Sequence, residues 1–118
     1  MADFGLFIGW GDVRSGRETA ANKVFAEALA YYTTLQAAGE IESFETVFLT
    51  RHGGDLDGFF LLRGDPEKLG RLSMSPDFLR LTNRANAVVE ALGVISTIHD
   101  AQALRFVGES TQSTADLV

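Results

Sequence analysis

Residues 58–63 read Gly-Phe-Phe-Leu-Leu-Arg, with no charge until the last position. An unbroken apolar run of this length, opened by glycine, is the pattern of a strand covered on both faces. Such a strand does not sit at the rim of a sheet, so the rest of the chain has to supply its neighbours. The preceding segment, 41–50, completes a β-hairpin with it. There Phe44 and Phe48 share one side and Val47 and Leu49 the other, while Glu42 and Glu45 interrupt, as charges do on an edge strand. The connection, Arg51-His52-Gly53-Gly54-Asp55-Leu56-Asp57, is dense in glycine and aspartate and long enough to be a loop rather than a tight turn.

Phe4-Gly5-Leu6-Phe7-Ile8-Gly9-Trp10 repeats the two-faced pattern. Phe4, Leu6, Ile8 and Trp10 point one way, and Gly5, Phe7 and Gly9 the other. Glycines weaken a strand unless something approaches its backbone closely, and close packing is the plain reading here. Ser15-Gly16-Arg17-Glu18 fits a capping box, which predicts a helix starting near Gly16. Ala21, Val24, Phe25, Ala28, Tyr32 and Leu35 give it one apolar stripe, and Gly39 sits where a left-handed C-cap ends it. Asp65-Pro66-Glu67 and Ser75-Pro76-Asp77 are two further start signals, so a short helix anchored by Leu69 and Leu72, a break and a longer helix are predicted. The longer stripe runs from Phe78 and Leu81 to Val88, Val89 and Leu92, ended by Gly93. A last strand follows over 94–99. Beyond it Leu104, Phe106 and Val107 are candidates for docking on the domain, and 109–118 is expected to be a mobile tail after a single domain over 1–108.

The order strand, helix, strand, strand, helix, strand predicts an α+β, ferredoxin-like βαββαβ antiparallel sheet with both helices on one face. Right-handed crossovers put the first and third strands in the middle, which are the uninterrupted apolar ones. Two helices cover only one face, yet these strands have no polar face to give to water. Four central side chains of Phe or Leu size, at ~1.5–3 kcal/mol each, represent several kcal/mol that a monomer would forgo. The economical cover is a second copy, in a homodimer paired through the sheet face.

Composition removes several function classes. The net charge is -6 over 118 residues with no block of Lys or Arg, so nucleic acid and anionic membrane surfaces are not expected partners. This decides against an RNA-recognition domain, which shares the topology and displays aromatics on its central strands. There is no cysteine, which excludes disulfides, thiolate nucleophiles and Cys-ligated zinc. Neither a membrane span nor a signal peptide is visible, and a cytoplasmic protein is the expectation.

The element order, the opening strand ending in Trp10, and the long first helix running through Tyr31-Tyr32-Thr33-Thr34-Leu35-Gln36 resemble the dimeric α/β-barrel superfamily, over about residues 4–100. The stretch Gly-Gly-Asp-Leu-Asp-Gly-Phe-Phe-Leu-Leu-Arg-Gly, residues 53–64, is most similar to small uncharacterised bacterial members. The resemblance implies ferredoxin-like protomers pairing their sheets into a closed barrel. It also implies a ligand position between helix and sheet, in relatives that include cofactor-independent monooxygenases, haem-degrading enzymes and muconolactone isomerases. The haem-degrading relatives use a helix-borne histidine, and neither helix here carries one. No cofactor and no metal are therefore expected.

His52 is the candidate catalytic residue, since imidazole changes charge near neutral pH and this one sits in a glycine-rich loop beside Arg51 and Asp55. A solvated turn is the competing reading, and His52, Asp55 and Asp57 as metal ligands a third. His99, at the end of the last strand, reads as a sheet-edge or interface residue. Trp10 and Tyr32 carry polar tips on apolar bodies and are the candidate ligand-binding pair for a small organic, aromatic ligand, with Arg51 and Asp55 in the loop expected to close over it. The alternative is that both are core residues whose polar tips find backbone partners. At the level of function, small-molecule binding or cofactor-independent chemistry stands against a non-catalytic structural, interaction or regulatory module.

Overall fold

The computed structural model describes residues 2–118. Strand β1 (Phe4–Trp10) leads to helix α1 (Glu18–Ala37), the hairpin β2 (Ser43–Phe48) and β3 (Gly58–Arg63), helices α2 (Pro66–Ser73) and α3 (Pro76–Asn86), strand β4 (Gly93–Ile98) and a further helix α4 (Asp100–Ser113). The four strands form one antiparallel sheet in the order β2-β3-β1-β4, with the two uninterrupted apolar strands in the middle as the sequence predicts. Leu6 opposes Leu62 and Ile8 opposes Phe60, which puts the even-numbered residues of both central strands on one face. That face meets the helices. Leu6, Ile8, Phe60 and Leu62 are buried there with Ala21, Val24, Ala28 and Tyr32 of α1, Leu69 and Leu72 of α2, and Phe78 and Leu81 of α3.

Local chemistry accounts for most of the element ends. The Asp65 carboxylate accepts from the backbone N–H groups of Glu67 and Lys68, each at 3.1 Å, and the Ser75 hydroxyl from that of Phe78 at 3.4 Å. With Pro66 and Pro76 in the first helical position, both starts are those read from the sequence. Helix α1 ends in a Schellman motif. Gly39 takes φ of +74°, its N–H bonds to the Gln36 carbonyl at 3.1 Å, and the Glu40 N–H reaches back to Leu35 at 2.9 Å.

The capping box at the start of α1 is corrected. Neither half of the box forms: the Glu18 carboxylate accepts from the Gly16 N–H at 3.4 Å rather than from that of Ser15, and Arg17 rather than Ser15 occupies the cap position without a side-chain bond. Gly16 adopts φ of +79°, which breaks the helical path, so α1 opens at Glu18. The second long stripe is also shorter than its pattern. Helix α3 stops at Asn86, and Val88 and Val89 are buried from the turn that follows it, their N–H groups both bonding back to the Ala85 carbonyl at 3.0 Å. There Val13 and Val89 bridge, Gly11 donates to the Glu90 carbonyl at 2.8 Å, and Glu90 donates to Asp12 at 2.7 Å. Helices α1 and α3 are joined by a bidentate pair, Arg84 Nε and Nη2 to the two Glu27 oxygens at 2.8 and 2.9 Å. The guanidinium bonds hold the Glu27 carboxyl below its ordinary range.

The opposite face of the sheet has no helix over it. Phe7 and Phe59 stack there with ring centroids 4.7 Å apart, beside Val47, Leu61 and Ile95, of which Ile95 is 57% exposed. The glycines of β1 are explained by close approach. A Cβ at Gly5 would lie 2.6 Å from the Thr97 hydroxyl and 2.8 Å from the Leu62 carbonyl, and one at Gly9 would lie 2.5 Å from the Phe7 ring. Arg63 ends this face and pairs with Asp100 at 3.2 Å, where α4 begins. Helix α4 itself buries no residue. It draws the molecule out to 54 × 38 × 23 Å with a radius of gyration of 16.4 Å, against about 13.5 Å for a compact chain of this length.

Candidate functional site

A cavity of about 310 Å³ lies between α1, α3 and the helix-side face of the sheet. It exists because the helices present small side chains where the sheet presents large ones. Ala21, Val24 and Ala28 of α1 and Ala85 of α3 face Ile8, Trp10 and Phe60, and the volume between them is not filled. The ladder at 88–90 closes one side with Val88 and Val89. One end of the lining is aromatic. Trp10 and Phe25 each pack on the other and on both Phe48 and Phe60, with centroids between 5.2 Å (Trp10 and Phe60) and 6.2 Å (Trp10 and Phe25), and Phe48 is 65% exposed.

Tyr32 lines the same cavity from the C-terminal half of α1 and packs on Phe60 edge to face at 5.0 Å. It is 1% exposed, and burial pushes its phenol well above the ordinary range, with a smaller contribution from Tyr31. Its hydroxyl makes no hydrogen bond to another described residue, and its oxygen is not among the side-chain atoms sealed from solvent. The indole N–H of Trp10 makes no such bond either. The neighbouring Tyr31 differs, since its hydroxyl bonds to Ser75. The two polar tips singled out by sequence are thus brought to one cavity, and neither is used by the protein itself.

The loop residues are placed elsewhere. Arg51, His52 and Asp57 line a second cavity of about 620 Å³ with Asp12, and the two cavities share Phe48 as their common wall. Both ring nitrogens of His52 are taken by its own loop. Nδ1 accepts from the Gly54 N–H at 3.2 Å, and Nε2 bonds to the Leu56 carbonyl at 2.7 Å. Asp55 lines neither cavity; its carbonyl lies against Gly11, where an added Cβ would come within 2.8 Å. Asp57 is held by its backbone, donating to the Trp10 carbonyl at 2.8 Å and accepting from Leu49 at 2.8 Å. Its carboxyl is raised above the ordinary carboxylate range by desolvation and then by a hydrogen bond to the Asp12 carboxyl, with Arg51 and His52 opposing. Among the described residues no three His, Asp or Glu side chains are grouped to hold a metal ion. His99 bonds through Nε2 to the Thr97 hydroxyl at 2.8 Å, at the sheet edge.

Sequence reasoning missed Phe25, Phe48 and Ala85 as site residues. The signal was present in the alanines at 21, 28 and 85, small residues on stripes that would otherwise carry Leu, facing strands rich in Phe.

No family model matches the sequence, and no curated protein does. Among solved structures, the chain is similar to a dimeric protein of unknown function and ferredoxin-like fold from Bacteroides fragilis, with a TM-score of 0.55 and 13% identity over 80% of this chain and 95% of that one. It is also similar to SnoaB, a cofactor-independent oxygenase from Streptomyces nogalater, with a TM-score of 0.52 and 18% identity over 85% of this chain and 94% of that one. At such identities the likeness is one of fold, and the chain is a protein of the ferredoxin-like α+β fold, in agreement with the resemblance read from its sequence.

Proposed function

We propose that the chain is a homodimer paired through its sheet face, each protomer of which binds a small, flat organic ligand between α1, α3 and the sheet. The observation that carries the ligand is the unpaired Tyr32 hydroxyl. That hydroxyl makes no hydrogen bond to another described residue while its oxygen keeps contact with solvent, so a ligand atom that accepts its proton would take the place of water there. The cavity's size fits the class, since a void of about 150 Å³ accepts one benzene, which leaves room at 310 Å³ for two or three fused rings. Four aromatic walls favour a planar ligand, and the shortage of polar side chains disfavours sugars and nucleotides. The dimer is supported by the uncovered apolar sheet face.

Trp10 is the one tryptophan and lines the cavity, so its emission is a direct readout. Titration with two- and three-ring aromatics bearing a carbonyl is expected to quench it saturably. Tyr32→Phe is expected to weaken binding about three- to tenfold, one hydrogen bond's worth. Equal affinity in the variant, or no quenching by any such probe, would sink the reading.

A reaction on the bound ligand is the second reading. SnoaB, similar in fold, is a cofactor-independent oxygenase, and in this chain the carboxyl raised above its ordinary range, Asp57, stands just across Phe48. Turnover of a bound aromatic that is lost in Asp57→Asn while binding is retained would support it; the same turnover in the variant would dismiss Asp57.

A further inference from the structure

We infer that α4 is an arm that grips the second copy of this chain, lying on the partner's surface at the margin of the paired sheets. The inference rests on the sheet-face dimer proposed above and goes beyond it. Leu104, Phe106 and Val107 are 76%, 61% and 61% exposed, and the helix buries none of its residues on its own protomer. At 3.6 residues per turn, Phe106, Ala103, Val107 and Leu104 fall on one broad side. The Arg105–Glu109 ion pair, at 3.2 Å, falls on the other. This is the pattern of a helix with one covered face.

Two observations point to a second copy as the cover. The first is continuity: Asp100 opens α4 and pairs at 3.2 Å with Arg63, a nearly buried residue that ends the uncovered sheet face. The arm therefore leaves from the edge of the surface that the partner would occupy. The second is area. Four strands of six or seven residues give that face a footprint roughly 20 Å square, or about 400 Å², half of the roughly 800 Å² per partner typical of a stable complex. Helix α4, at 14 residues, is about 21 Å long and about 10 Å wide. The arm and the strip of partner beneath it add about 200 Å² each to every protomer's share, which brings the total to that of a stable complex. The drawn-out shape of the protomer is that of a chain with an element reserved for its neighbour.

The test compares the full chain with Leu104→Glu/Val107→Glu and with Ile95→Glu on the sheet face. All three positions are exposed in the protomer, so circular dichroism should show each variant folded. Sedimentation should give a dimer for the parent and a dissociation constant raised about a hundredfold by the double substitution, as for two interface anchors lost. A photo-crosslinker in place of Phe106, in a mixture of isotope-labelled and unlabelled chains, should join one kind to the other. Dimerisation as tight as the parent's, or crosslinks confined to single chains, would overturn the arm, while monomers from Ile95→Glu would leave the sheet-face dimer standing. A monomeric parent at micromolar concentration would overturn both. Crosslinks that form only with anionic vesicles, with the dimer unaltered, would reassign the arm to a membrane surface and end the inference.

Discussion

The Tyr32 hydroxyl and the Asp57 carboxyl are each shifted by their surroundings towards the neutral form. Tyr32 is almost fully buried, but its oxygen keeps contact with solvent and makes no hydrogen bond to another described residue. Replacing it with Phe keeps the ring on Phe60, so the ligand-free protein should lose less than about 1 kcal/mol in urea unfolding. A larger loss would mean that the hydroxyl has a partner, and the cavity would lose its polar anchor. For Asp57 the consequence depends on pH. Its folded carboxyl is raised by desolvation and by Asp12, so it holds its proton to higher pH than the unfolded chain does. Its contribution to stability falls as pH rises from the ordinary carboxylate range through the raised value, and the deficit then persists to neutral pH. Asp57→Asn should therefore melt above the parent at pH 7, and the gap should close as pH drops below the ordinary carboxylate range. A gap that is constant across the range would show that the effect is not one of ionisation. At this scale the sequence made Trp10 and Tyr32 visible because each joins a polar tip to an apolar stripe. It could not show that His52 spends both nitrogens on its own loop, since that depends on the carbonyl of Leu56 turning back.

Helix ends were readable where the signal is local and ambiguous where it depends on backbone beyond the motif. Asp65-Pro66 and Ser75-Pro76 each place an acceptor side chain before a ring already set for the helix, and both helices start as written. Asp65→Ala should cost about 1 kcal/mol in thermal or denaturant unfolding, with Asp65→Asn largely restoring it. An Asp65→Ala variant as stable as the parent would mean that Pro66 alone defines the turn. The capping box before α1 has the right letters, but Gly16 takes a left-handed φ and carries Ser15 away from the amides that it would cap. Likewise Val88 and Val89 continue the helical spacing of α3 while pairing with the segment after β1. A buried residue leaves the same mark in sequence whether the helix or the turn that follows it delivers it. Helix α4 gave no such mark: it has no capping side chain, its first residue has φ of +51°, and it buries no residue on its own protomer. A helix that buries nothing on its own chain cannot be recognised from intrachain pattern alone.

The whole molecule has one apolar surface too many for a monomer, and this was the most informative thing in the sequence. Two central strands without a polar face imply a second cover, and on the helix-free face the structure leaves Ile95 exposed and Phe7, Phe59 and Leu61 only half-buried. What sequence could not supply was the cavity, because a void is the difference between volumes that only tertiary packing sets against each other. If two copies share the sheet face, association and folding are linked, and the melting temperature must rise with protein concentration by mass action. Over a hundredfold dilution the free energy of a dimer changes by about 2.7 kcal/mol, which for two chains of this size unfolding together moves the transition by roughly 5–10 °C. Scanning calorimetry of the full chain across that range should show the shift, and Ile95→Glu should abolish it while retaining a cooperative transition at lower temperature. A melting temperature independent of concentration in the parent would leave the sheet face exposed in solution, and the surface would then have to be explained by a different partner.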